Sequence, residues 1–143
     1  MQRKPTDPKS SIISRKSVSL MFILAFNMMI ILLPQFGLLL KKHDLLKAQT
    51  IVFITMVFME MINAYNSRSE GSLIKINPFA NKWLNLAVLS SILATILIVQ
   101  VPALTYIFKT SILTFSDWGL ALLLSLSALL FSEATKLFLN KKL

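Results

Sequence analysis

The chain has 143 residues, 55% of them hydrophobic, with three glycines, one histidine and no cysteine, and it carries a formal charge of +9. Without cysteine there can be no thiolate metal site, redox pair or Cys–His nucleophile. Gly37, Gly71 and Gly119 are too scattered to form a phosphate-cradling loop. No catalytic residue and no cofactor-binding residue is expected in these residues.

Four apolar runs dominate: residues 18–40, 48–65, 83–104 and 118–139. At 1.5 Å per residue they are roughly 27–35 Å long, the thickness of a bilayer's hydrocarbon core. The expected fold is all-α, an integral membrane four-helix bundle, with residues 1–17 a polar cytoplasmic segment and residues 18–143 the transmembrane domain. The first run is too long for a signal-peptide core, and Lys-Lys-His-Asp follows it. Eleven basic residues (Arg3, Lys4, Lys9, Arg15, Lys16, Arg68, Lys75, Lys82, Lys136, Lys141, Lys142) fall on one side of these runs, and only Lys41, Lys42, Lys47 and Lys109 on the other. The positive-inside rule then places both termini in the cytoplasm. The charge serves topology and anionic lipid rather than nucleic acid.

In chain order, Pro5 and Pro8 favour an extended start. Helix one carries Pro34 and Gly37 in its outer third, where a kink is expected. Its Asn27 is read as an interhelical hydrogen-bonding residue. The 41–47 loop is short enough to force a hairpin, and its His43 reads as a solvated side chain.

Helix two holds the most informative residue, Glu60. An acid at the centre of a membrane helix costs roughly 2.5–3.5 kcal/mol on insertion scales. One kept there holds a cation, a proton or a partner side chain. Met56, Glu60, Asn63 and Ser67 fall at spacings of four, three and four, which predicts one stripe. Glu60 and Asn63 offer the oxygen ligands that hard cations prefer, but two side chains cannot enclose Ca²⁺, which takes six to eight oxygens. Met56, Met59 and Met61 point to different faces and read as packing and lipid contact. Glu60 is the one metal-site candidate.

Beyond the 66–82 loop, Trp83 anchors helix three at the interface. Small residues repeat along helix three (Ala87, Ser91, Ala94) and helix four (Ala121, Ser125, Ala128, Ser132, Thr135), a pattern that lets membrane helices approach closely. Glu133 and Lys136 are spaced for an interfacial ion pair.

The stretch Gln49–Glu70 resembles the eighth membrane helix and following loop of type II P-type ATPases, the calcium-pump branch above all. The shared pattern is a glutamate followed by Met-x-Asn-Ala-x-Asn-Ser-x-Ser-Glu, here Glu60 to Glu70. Asn77-Pro-Phe-Ala-Asn-Lys-Trp-Leu, Ile107-Phe-Lys with Trp118, and Glu133-Ala-Thr-Lys are similar, in order, to the segments that follow. Met1-Gln-Arg-Lys-Pro-Thr-Asp-Pro-Lys is similar to the close of the preceding loop. The resemblance implies that the four helices are the pump's seventh to tenth. It implies that Glu60 stands where a carboxylate joins a calcium site, with Ca²⁺ as the transported ion. Relatives with glutamine there handle ions differently.

The phosphorylated Asp-Lys-Thr-Gly-Thr, the Thr-Gly-Glu and the Gly-Asp-Gly-x-Asn-Asp motifs of the family are absent from these residues. ATP and Mg²⁺ therefore belong to a complete pump, and the implied partner is the remainder of that pump. A split gene, a frameshift or an internal start would account for the separation, and the start at a methionine the family often has there favours fragmentation. The implied location is the membrane, multi-pass, and the cell membrane in a prokaryote. Two alternatives stay open: a stand-alone four-helix small transporter using Glu60 as carrier acid, and a non-catalytic membrane assembly protein in which Glu60 is a buried pairing residue. The acid-bearing first helix of small multidrug exporters has no counterpart here.

Overall fold

The computed structural model describes residues 15–66 and 81–140. They form α1 (Arg15–Leu39), α2 (Leu45–Asn66), α3 (Lys82–Gln100), α4 (Pro102–Phe108) and α5 (Phe115–Asn140), with no strand among the described residues. Among the described residues, three helices are long and apolar enough to cross a membrane, over Met21–Leu39, Leu45–Tyr65 and Lys82–Gln100. The fourth apolar stretch, Phe115–Phe131, is the first part of the 26-residue α5. The molecule is an all-α membrane helical bundle whose outside is as apolar as its inside: Phe22, Leu33, Leu123 and Leu130 all face outward.

Each helix end has a local cause. α1 runs on through Pro34, whose missing N–H leaves the Ile30 carbonyl without its helical donor, and stops at Leu39. The chain reverses over residues 40–44, where the His43 N–H donates to the Leu39 carbonyl at 2.8 Å. α2 starts earlier than its apolar run, because the Asp44 carbonyl already accepts from the Ala48 N–H at 3.0 Å, the N-cap position that aspartate favours. Asn81 caps α3, its side-chain oxygen accepting from the Trp83 and Leu84 N–H groups.

The expected third helix, 83–104, is not continuous. Pro102 cannot donate to residue 98 and disfavours helical geometry at Val101, which is extended (φ −88°, ψ 117°). Proline does fit the first turn of a new helix, and α4 begins there. α4 ends after seven residues at Lys109, the one non-glycine with positive φ among the described residues (φ 51°, ψ 53°).

α2 is the central helix. It packs most extensively on α5 and then on α1, α1 also meets α5, and α3 lies alongside with a lighter contact to α2. Ala48, Ile51, Ile54 and Phe58 of α2 form the core with Leu39, Val99, Leu113 and Ala121. Phe58 and Trp118 hold their ring centroids 6.0 Å apart, tilted at 51°. Ala121, Ser125 and Ala128 are all at most 1% exposed, so the small face of α5 is where the bundle closes. Lipid offers little hydrophobic drive for helix association, so close packing and interhelical hydrogen bonds carry it.

The corresponding stripe on α3 does something else. Ala87, Ser91 and Ala94 are all exposed, with the Ser91 hydroxyl donating back to the Ala87 carbonyl at 2.9 Å. Among the described residues nothing packs closely on that stripe, because α3 turns its other side, with Thr95 and Val99, inward.

Candidate functional site

Glu60 lies in the second half of α2 with its side chain exposed on the outside of the bundle. Gln49, Phe53, Met56, Glu60 and Ala64 are all exposed, at spacings of four, three, four and four, and they form a single outward stripe. The opposite side of α2 carries Ile51, Ile54, Thr55, Phe58 and Met59, all buried. Glu60 is the one ionisable residue in the stripe.

Asn63 departs from the expected common stripe with Glu60. It is 8% exposed, and its Nδ2 meets the Met28 sulfur of α1 at 3.8 Å. Three residues advance a helix by about 300°, so the two side chains diverge by about 60°. At the edge of a buried face that offset separates inside from outside. Ser67 of the same expected stripe lies outside the described residues. Among the methionines, Met56 is exposed, Met59 is buried and Met61 is half-buried, so they share no face.

No group of three or more His, Cys, Asp or Glu side chains comes together among the described residues. Glu60 thus offers a single carboxylate, on an outer surface, to anything that would bind it. By oxygen count this is an incomplete site for Ca²⁺.

The polar residues inside the bundle are structural in their contacts. Gln35 Nε2 donates to Thr55 Oγ1 at 2.8 Å across the α1–α2 seam, while Thr55 Oγ1 donates to the Ile51 carbonyl. Asn27, expected to make an interhelical hydrogen bond, is buried, and its Oδ1 finds no hydrogen-bond donor among the described residues. Tyr65 Oη donates to Asn85 Oδ1 at 2.9 Å, joining the end of α2 to the start of α3.

Sequence reasoning missed the strongest polar cluster. Asp117 Oδ2 accepts from the Thr114 N–H (2.8 Å) and Thr114 Oγ1 (2.7 Å), and pairs with Lys47 Nζ at 3.1 Å. The signal was the spacing Thr114-Phe-Ser-Asp117, a variant of the capping box in which an acid at the third helical position takes up the N-cap N–H. It binds the starts of α2 and α5 at one end of the bundle. The expected Glu133–Lys136 pair lies outside the described residues at Lys136, whereas Glu133 itself is half-buried. Ser132 and Thr135, expected in the small stripe of α5, likewise have side chains outside the described residues.

An incomplete carboxylate site on an apolar bundle finds its context in related sequences. Residues 1–138 match the family model described as cation transporting ATPase, C-terminus. The chain belongs to this family. A calcium-transporting ATPase of Bacillus subtilis is 36% identical over 124 residues, 85% of this chain and 14% of that protein. Calcium-transporting ATPase 1 of Bacillus cereus is 36% identical over 107 residues, 74% of this chain and 12% of that protein. An endoplasmic reticulum-type calcium-transporting ATPase 4 of Arabidopsis thaliana is 37% identical over 92 residues, 64% of this chain and 9% of that protein. This chain therefore spans about an eighth of the bacterial relatives' length.

Proposed function

We propose that this chain works as the C-terminal transmembrane module of an ATP-driven calcium pump, supporting the ion-binding helices and supplying the Glu60 carboxylate as one ligand of a cation site. The observation that carries this reading is the outward placement of Glu60 in the apolar stripe of α2. A carboxylate facing hydrocarbon is unfavourable by roughly 2.5–3.5 kcal/mol, so that face needs a cation, a partner side chain or water. The calcium-transporting relatives support the choice of a cation. The other oxygens come from the remainder of the pump, in the same polypeptide or in a partner chain, and so do the domains that use ATP and Mg²⁺.

In this reading the module is multi-pass, in the cell membrane where the host is a prokaryote, with both ends in the cytoplasm. The excess of Lys and Arg on one side of the spans supports that orientation. The 40–44 turn and the 109–114 connector would then share the outer side. A stand-alone four-helix transporter gains less support, since its carrier acid would face the bundle interior. The module by itself would not pump.

The test is reconstitution with the Bacillus subtilis calcium-transporting ATPase truncated before the region that this chain matches. Glu60→Gln should raise the Ca²⁺ concentration needed for half-maximal ATPase activity, and Glu60→Ala should raise it at least as far. The isolated chain should bind Ca²⁺ poorly in either form. An unaltered calcium dependence for the complemented Gln variant would make Glu60 a structural acid.

A further inference from the structure

Asn27 is the interior side chain that its neighbours serve least. It stands about 9 Å into the Met21–Leu39 span and is 4% exposed. Its Oδ1 meets no hydrogen-bond donor among the described residues. Gln35, about two turns on along the inner face of α1, at least spends its Nε2 on Thr55. An amide oxygen taken out of water and given no donor is unfavourable, and hydrocarbon supplies none.

Two contacts fix the register of α1 on α2. Gln35 meets Thr55 and Met28 meets Asn63, so the two helices run antiparallel. One residue back from Met28, Asn27 stands level with Asn63 and Ala64. Asn63 is the buried one of these two, at 8% exposed, while Ala64 faces out. Two inward amides, one from each helix, thus share a level inside the apolar span.

We infer that a single water molecule is bound between Asn27 and Asn63, donating one hydrogen to Asn27 Oδ1. A buried water takes two to four polar partners. Asn27 Oδ1, the Asn63 amide and the Met28 sulfur, which Asn63 Nδ2 meets at 3.8 Å, bring three to one level. Water suits this set because it both donates and accepts. A metal ion does not, since a hard cation wants more oxygens than two amides give, and no acidic cluster joins them among the described residues. The site has a consequence for α2, whose periphery is apolar on nearly every side. A water shared with Asn27 favours the rotation that turns Asn63 inward, and in that rotation Glu60 faces out, whatever it binds.

Radiolysis by X-rays converts bound water to hydroxyl radical, which oxidises adjacent methionine to the sulfoxide. Three methionines make the measurement internal: Met28 beside the site and half-buried, Met29 outward and 47% exposed, and Met59 fully buried one turn along α2 from Asn63. The chain is held in lipid nanodiscs in ¹⁸O-labelled water, irradiated and read by peptide mass spectrometry. Sulfoxide carrying the label should form at Met28 about tenfold faster than at Met29 or Met59. Asn27→Leu should bring Met28 down to their level, and Asn27→Ser, which keeps an acceptor oxygen, should retain most of the parent rate. Met59 also reports folding: a variant that opens the bundle labels it, and the parent and the Ser variant then decide. Met28 labelled no faster than Met59 in the parent overturns the inference, leaving the two amides bonded directly or dry. Undiminished labelling in a folded Asn27→Leu chain overturns it too, because the water would not be held by Asn27. Equal labelling of Met28 and Met29 does the same, since water would then be entering from the lipid side.

Discussion

Two stripes of small residues, on α3 and on α5, have the same chemistry and opposite fates. Ala121, Ser125 and Ala128 lie buried in the bundle where α5 packs on α2 and α1, whereas Ala87, Ser91 and Ala94 lie open on the outside of α3. The sequence pattern marks a face fit for close approach and says nothing about whether this chain contains its partner. In lipid, where apolar surface need not be buried, a helix can leave such a face unused within its own fold. The same distinction separates Asn63 from Glu60 on α2. One is buried within the bundle, and the other faces out of it.

The largest effect should come from the polar latch that holds the buried seam together at one end. Asp117→Ala removes the acceptor for two Thr114 donors and leaves Lys47, whose side chain is 21% exposed, without its anion. Losing one member of a largely buried pair together with a helix cap should cost about 3 kcal/mol. Thermal unfolding of the purified chain in detergent measures it. Asp117→Asn should recover part of the loss, because the amide oxygen can still accept from Thr114. If both variants unfolded with the parent, the latch would contribute nothing to the seam.

The seam itself should break next. Ala128→Phe forces a ring into a position 1% exposed, and overpacking of this kind typically costs 1–3 kcal/mol. Parent-like stability would mean that α5 presents this stripe to lipid. Smaller still is the α1–α2 hydrogen bond. Thr55→Val removes the acceptor of Gln35 Nε2 and should cost about 0.6 kcal/mol, the average found for such bonds between membrane helices.

The long helices were legible because four runs of apolar residues match a bilayer, and Glu60 was legible because an acid there is costly. The direction in which Glu60 points was not. α2 is apolar on nearly every side, so periodicity could not choose its inner face, and Asn63 went inward while Glu60 went outward. The break at Pro102 was written in the sequence but masked by hydropathy, which continues through Ala103 and Leu104 although proline stops the hydrogen-bond ladder. The Asp117 cap escaped for a related reason. An apolar run taken to begin at Trp118 excludes the polar residues that start its helix. Gln35 and Asn85 gave no signal, since an isolated amide acquires a role only through the helix that comes to lie against it.

The comparison sharpens most where the expected effect is smallest. Ala94→Phe on the open stripe of α3 should leave the isolated chain within about 0.5 kcal/mol of the parent, because the added ring meets solvent or detergent rather than a packed neighbour. The volume change is that of Ala128→Phe, so the difference between the two variants isolates context from chemistry. A loss of 1 kcal/mol or more for Ala94→Phe in the isolated chain would mean that α3 turns its small face inward after all. Assembly with the truncated relative then poses the second half of the question. If Ala94→Phe lowers the yield of the assembled pump while Ser90→Ala, about one helical turn away on the same exposed side of α3, does not, the open stripe is a contact with the pump body. If both assemble like the parent, α3 meets lipid there, and the small residues at Ala87, Ser91 and Ala94 serve no close approach.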